Sequence, residues 1–185
     1  MTEEGTGGMS GEGDMPAQPF ARAYAIRRTL DPDLNFSHWG PAGMLEIWHR
    51  MRGEREMPDR SAVRPEVVRH HLGWITLIDV EYQPLRFRFR LVGTNVANGL
   101  SRDSSGRYID TVYGPDFYQI AIGSYLWILE HRRPVRAHGR MEHSLKGEIG
   151  FESVDLPFSS DGRTIDMILK RTRFEGYEMA PTPPA

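Results

Sequence analysis

The chain contains no cysteine. That absence excludes disulfides, thiolate zinc sites, thiol nucleophiles and any flavin chemistry that proceeds through a cysteinyl adduct. No apolar run approaches the ~18 residues that a spanning helix needs. The acidic, glycine-rich beginning (Glu3, Glu4, Glu12, Asp14) also lacks a basic region followed by an apolar one, so neither membrane insertion nor export is expected. Charge of one sign is missing as well. A net charge of -2 and a pI near 6.4 argue against a protein whose main task is neutralising phosphates. Internal repeats are absent, and no histidine pair stands at i, i+4 on a predicted helix, which removes the commonest helical metal site.

What is present is ordinary for a globular chain: 185 residues, 39% hydrophobic and 26% charged. One domain with one core is expected. Residues 1–38 read as a disordered or loosely packed tail, because their beginning offers almost nothing to bury in return for the entropy of ordering it. Met9 and Met15 leave the true start open. The domain proper spans 40–175, and 176–185 is a Pro-rich stub that suits neither helix nor sheet.

Met44, Leu45, Ile47, Trp48 and Met51 recur at helical spacing opposite Glu46, His49, Arg50 and Arg52, which predicts an amphipathic helix ending near Gly53. Pro65 suits the first position of a short helix reaching about His71. A strand from Trp74 to Tyr82 follows, rich in β-branched and aromatic residues, and Gln83-Pro84 joins it to a second strand as a hairpin. In that second strand the alternation is strict: Leu85, Phe87, Phe89 and Leu91 share one face, and Arg86, Arg88 and Arg90 share the other. A strand apolar on one side belongs to an antiparallel sheet covered on that side.

The polar stretch from Thr94 to Tyr113 predicts short helical turns and loops. The longest helix runs from about Asp116 to His131, with Phe117, Ala121, Ser124, Tyr125 and Ile128 directed one way. Three more strands are expected over Val135–Ser144, Phe151–Phe158 and Thr164–Phe174, the last two joined by a Ser159-Ser160-Asp161-Gly162 turn.

This order resembles the PAS fold. The segments Met57-Pro58-Asp59-Arg60, Leu77-Ile78-Asp79-Val80, Arg88-Phe89-Arg90-Leu91-Val92-Gly93-Thr94, Arg102-Asp103-Ser104-Ser105-Gly106-Arg107 and Leu156-Pro157-Phe158-Ser159-Ser160-Asp161-Gly162 are similar, in the same order, to the MPxR, LxDV, RYRLxGT, GRDxTGR and LPLSSDG motifs of a stand-alone bacterial PAS family. The likeness spans roughly Met44 to Phe174. Departures are Ser101, where that family usually has glycine, and Ser61-Ala62-Val63-Arg64 in place of a more acidic stretch. The resemblance implies an α+β fold with a five-stranded antiparallel sheet in the order 2-1-5-4-3, helices on one face and an N-terminal flanking helix.

It also implies a cytoplasmic sensory or adaptor module for signal transduction, non-catalytic and acting through a protein signalling partner. No kinase, cyclase or helix-turn-helix segment fits in the residues left over. Phe89, Tyr113, Ser124, Tyr125, Met141 and Met167 are the candidate lining of a small-molecule pocket between the long helix and the sheet, where methionine adapts to irregular space and hydroxyls orient a ligand. A closed, filled core is the competing reading. Met44, Ile47, Trp48 and Met51 are the candidate surface for a homodimer or other partner, since an apolar stripe must pack on the chain's own sheet or on a second copy.

Other functions fit the residues less well. Aromatics and arginines on opposite faces of one strand cannot form a single stacking platform, which counts against nucleic acid. The bland reading of Arg86, Arg88 and Arg90 is pairing with Asp79, Glu81, Asp155 or Asp166, roughly 0.2–1 kcal/mol a pair. Haem-binding PAS domains use a histidine on the long helix, and His131, flanked by Glu130, Arg132 and Arg133, reads instead as a solvent-facing helix-end cation. A ligand or cofactor is therefore left unassigned. The alternative from another class is a small isomerase- or dehydratase-like enzyme of cone-shaped α+β fold, with Asp166 and His143 as its pair; Asp166 alternates out of phase with Ile165, Met167 and Leu169.

Overall fold

Chain geometry in the computed structural model is described for residues 26–143 and 147–176. Six strands form one antiparallel sheet: β1 (Ile26–Asp31), β2 (Ile75–Tyr82), β3 (Leu85–Val92), β4 (Val135–His143), β5 (Gly147–Phe158) and β6 (Met167–Phe174), in the order β1-β4-β5-β6-β2-β3. Helices α1 (Trp39–Arg52), α2 (Pro65–Val68), α3 (Thr94–Gly99), α4 (Ile109–Val112) and α5 (Pro115–His131) complete it. From β2 to β6 the order is the expected 2-1-5-4-3 arrangement. The sheet has six strands rather than five because β1 adds to the free edge of β4, Ile26 opposite Met141 and Asp31 opposite Arg136.

That strand corrects the reading of 1–38 as a tail. Residues 1–25 lie outside the described residues, but Ile26–Asp31 is paired along its length. Asp31 then accepts from the backbone N–H groups of Asp33 and Asn35, turning the chain toward α1. The Pro-rich end from residue 177 is likewise outside the described residues.

The two faces of the sheet are covered differently. On the inner face lie α3, α4 and α5; on the outer face lies α1, packed on β5 and β6. Trp48, 2% exposed, donates its indole N–H to the Pro157 carbonyl at 2.9 Å, and Met44 is fully buried. Of the two partners expected for this stripe, the chain's own sheet takes Met44 and Trp48, which are closed off, while Ile47 and Met51 are half-buried.

In β3, Phe87 and Phe89 face the inner core at 1% and 7% exposure, and the arginines face out. The strict alternation ends one residue early. Leu77 pairs with Leu91 whereas Ile78 pairs with Phe89, so Arg90 is the extra residue of a β-bulge. Leu91 consequently joins Leu77 on the outer face, 40% exposed, instead of following Phe89 inward. Leu85, at the hairpin end, is 41% exposed.

Segments from separate motifs meet on the outer face. Asp79 accepts from Arg60 and Arg88, each at 2.9 Å, with Arg90 at 3.5 Å. Glu81 lies 3.4 Å from Arg88, and at the free edge of β3 Arg86 reaches round to Asp110 of α4. Asp166 lies 3.7 Å from Arg60. Asp155 takes no part, because it points to the opposite side of the sheet.

Candidate functional site

Alternation along β6 decides what the inner face contains. Lys170, Thr172 and Phe174 face inward, with Thr76 of β2 opposite Lys170 and Phe151 of β5 opposite Phe174. Above them lies α5, opened by Pro115 at its first turn and closed at Arg132, whose left-handed φ of 56° lets its N–H return to the Ile128 carbonyl. Phe117, Ile120, Ala121 and Tyr125 of α5 approach the sheet without filling the space beneath them. A cavity of about 120 Å³ remains, bounded by α5, the α3–α4 region and the inner face of the sheet.

Its walls are chiefly apolar and aromatic. Phe89 meets Tyr113 edge-on at 6.4 Å, Tyr113 meets Phe117 at 4.4 Å, and Tyr125 packs on Phe87 at 5.4 Å. Three cationic side chains also reach the lining: Arg28 from β1, Lys170 from β6 and Arg102 from the segment after α3. Lys170 is held by Asp155, its Nζ 2.8 and 3.0 Å from the two carboxylate oxygens. Asp155 is wholly buried. Burial lowers the Lys170 pKa below the usual lysine value, opposed by Asp155.

Arg28 is placed differently. Its Nη1 donates to the Ala121 carbonyl at 3.3 Å and to Ser124 Oγ at 3.5 Å, both long, and it forms no ion pair among the described residues. The helix accommodates it at Gly123, where a Cβ would come 2.5 Å from Nη2. Burial raises the pKa of Tyr113 to about 12 and that of Tyr125 well above the ordinary phenol value, the latter with the Asp155 charge adding to it. Both tyrosines therefore present O–H donors at neutral pH.

Four of the six residues expected at the pocket line it: Phe89, Tyr113, Tyr125 and Met141. Ser124 lies behind the wall as the acceptor for Arg28. Met167 is misplaced by that expectation: it pairs with Phe158 and with Asp79, on the outer face. The expectation missed Arg28, Arg102 and Lys170, since charged residues at inward positions look in sequence like exposed ones. The remaining titratable candidates lie elsewhere. His131 stacks on Trp127 at 4.2 Å, donates from Nδ1 to the Trp127 carbonyl at 3.0 Å, and does not line the cavity. Asp166 is on the outer side with Arg60, and the His143 side chain is outside the described residues. Among the described residues no cluster of three or more histidine, aspartate or glutamate side chains could hold a metal ion, and no helix is long and apolar enough to cross a membrane.

A family model described as a PAS domain matches residues 37–170. The chain belongs to the PAS-domain family. Among curated proteins, none matches it. Membership points to a sensory or adaptor module, a class that is generally non-catalytic and that commonly mediates protein interactions. The match leaves out two parts of this PAS domain's cavity: β1, which supplies Ile26 and Arg28, and the end of β6, which supplies Thr172 and Phe174.

Proposed function

We propose that the protein is a cytoplasmic, non-catalytic sensory module that holds a small molecule between α5 and the sheet and reports its presence to a protein signalling partner. The observation that carries this reading is the cavity itself, with two tyrosines and an inward arginine among apolar walls. A filled core would have no reason to bury such groups beside empty space.

Strand β6 supports a route outward. Lys170 faces the cavity while its neighbour Arg171 faces α1, its guanidinium 5.9 Å from the Trp39 ring and packed against Gly40. Movement of β6 on occupancy would alter the seat of α1, shifting the equilibrium between two packings of that helix. The domain unit for this function is 40–175 together with β1.

The enzyme alternative requires an available acid or base at the cavity. Asp155 is the inward carboxylate, and both its oxygens are engaged by Lys170, so the sensory reading is the better supported one.

Native mass spectrometry of the purified full chain, followed by hydrogen exchange with and without the retained molecule, tests the proposal. A bound small molecule and changed protection in α1 are expected. A chain that retains nothing and whose α1 amides ignore every added compound would refute it.

A further inference from the structure

Arg28 is partly buried and faces the inner side of the sheet over a largely apolar cavity, where solvent screens its charge less than at the surface. A guanidinium carries five N–H donors. Its protein partners here are two neutral acceptors at 3.3 and 3.5 Å. The inward carboxylate that could neutralise it is already committed, since both oxygens of Asp155 are bonded to Lys170. Arg28 is also near enough to Lys170 and Tyr125 for its charge to act on both, and Arg102 is a third cation at the lining.

A second, independent feature points the same way. Tyr113 and Tyr125 line the cavity, and burial keeps both phenols protonated, so each brings an O–H donor to its wall. Water could satisfy those hydroxyls but would not balance the Arg28 charge. An acid does both.

We propose that the cavity takes a small monocarboxylate with an apolar body, its carboxylate paired with Arg28 and hydrogen-bonded by Tyr125, and its body against Phe89, Val96, Ile120 and Met141. The size is set by about 120 Å³, less than the roughly 150 Å³ of an engineered cavity that holds benzene. A short aliphatic acid fits that space. Phosphate fits it poorly, having no apolar body to meet the largely apolar walls. Arg28 belongs to β1, outside the residues that the family model matches. The inference rests on the reading that the cavity is a ligand site.

Titration of the full chain with butyrate, its neutral isostere butyramide, and inorganic phosphate, at constant ionic strength and followed by NMR, separates the two claims. Butyrate is expected to bind about tenfold or more tightly than butyramide, the scale of one charge-assisted contact. Arg28→Met should bring that ratio near one, and Arg28→Lys should restore part of it. Equal binding of butyrate and butyramide, preference for phosphate, an unchanged ratio in Arg28→Met, or a co-purified molecule without an acid group would each overturn the carboxylate assignment and leave the cavity as a ligand site. Binding of none of the probes, with nothing retained on purification, overturns both. Should Arg28→Met not fold, the butyrate-to-butyramide ratio of the unmodified protein decides.

Discussion

Lys170 Nζ lies 2.8 Å from one oxygen of Asp155 and 3.0 Å from the other, and the carboxylate is wholly buried between the sheet and α5. Removing one partner strands a charge in the core, whereas removing both leaves an apolar site. Lys170→Met should therefore cost about 3–5 kcal/mol, and Lys170→Met with Asp155→Leu should recover most of it. Urea denaturation of the three proteins measures this; a loss under about 1 kcal/mol for the single variant would mean that Asp155 reaches solvent or another cation.

Neighbouring residues of β3 should respond in opposite ways. The Arg88 side chain is 41% exposed, and Asp79 keeps Arg60 and Arg90 without it. Arg88→Glu is expected to fold, losing on the order of 1 kcal/mol. Phe89, 7% exposed, lines the cavity. Phe89→Asp buries an unpaired charge and should abolish the cooperative melting transition. Wild-type-like melting of Phe89→Asp, or insolubility of Arg88→Glu, would contradict the observed faces of the strand.

Why β3 was legible and parts of the cavity were not follows from how charge is used. Phe87 and Phe89 against Arg86 and Arg88 spell out a half-buried strand, and the helix stripe with Tyr125 and Ile128 is equally plain. The bulge at Arg90 is silent, because it leaves the alternation in the sequence intact and appears only in the pairing of Leu77 with Leu91. Met167-Ile168-Leu169 is apolar on both faces, so its phase was set by the charges after it, and an inward Lys170 inverts the ordinary rule. Arg28 hid β1 for the same reason. An inward charge needs a partner brought by tertiary structure, and nothing local announces it. The motif residues Arg60, Asp79 and Arg88, by contrast, are joined to one another on the outer face, so the signature that identifies the fold describes the scaffold and leaves the ligand unnamed.

Trp48 tests the docking of α1. Its ring is 2% exposed and its N–H reaches the Pro157 carbonyl. Trp48→Ala removes a large buried side chain and leaves that carbonyl without its donor, for an expected loss of about 3–5 kcal/mol. Because the contact is within one chain, the loss should be the same at low and high protein concentration. A penalty that appears only at high concentration would instead place Trp48 between two copies.

His71 should make folding sensitive to acid. It is 5% exposed, with Trp39 6.2 Å away, the first turns of α1 beside it at Gly43, and the Arg171 guanidinium on the β6 side. Its Nδ1 is buried without a partner. Burial first, then the positive charges of Arg171 and His70, lower its pKa from 6.5 to about 4. Between those two values the unfolded chain binds a proton that the folded chain does not, so stability rises with pH across this window and is lost as pH falls from about 6.5 toward 4. The slope contributed by one such group approaches 1.4 kcal/mol per pH unit. His49 is also lowered, by burial and Arg52, so the measurement is a difference: denaturation curves of wild type and His71→Gln at pH 7, 6 and 5. The variant should show the shallower pH dependence, so the wild type should lose stability relative to it steadily from pH 7 to pH 5. Parallel curves for the two proteins would mean that His71 takes up its proton in the folded state, and that the seat of α1 against β6 is open to water.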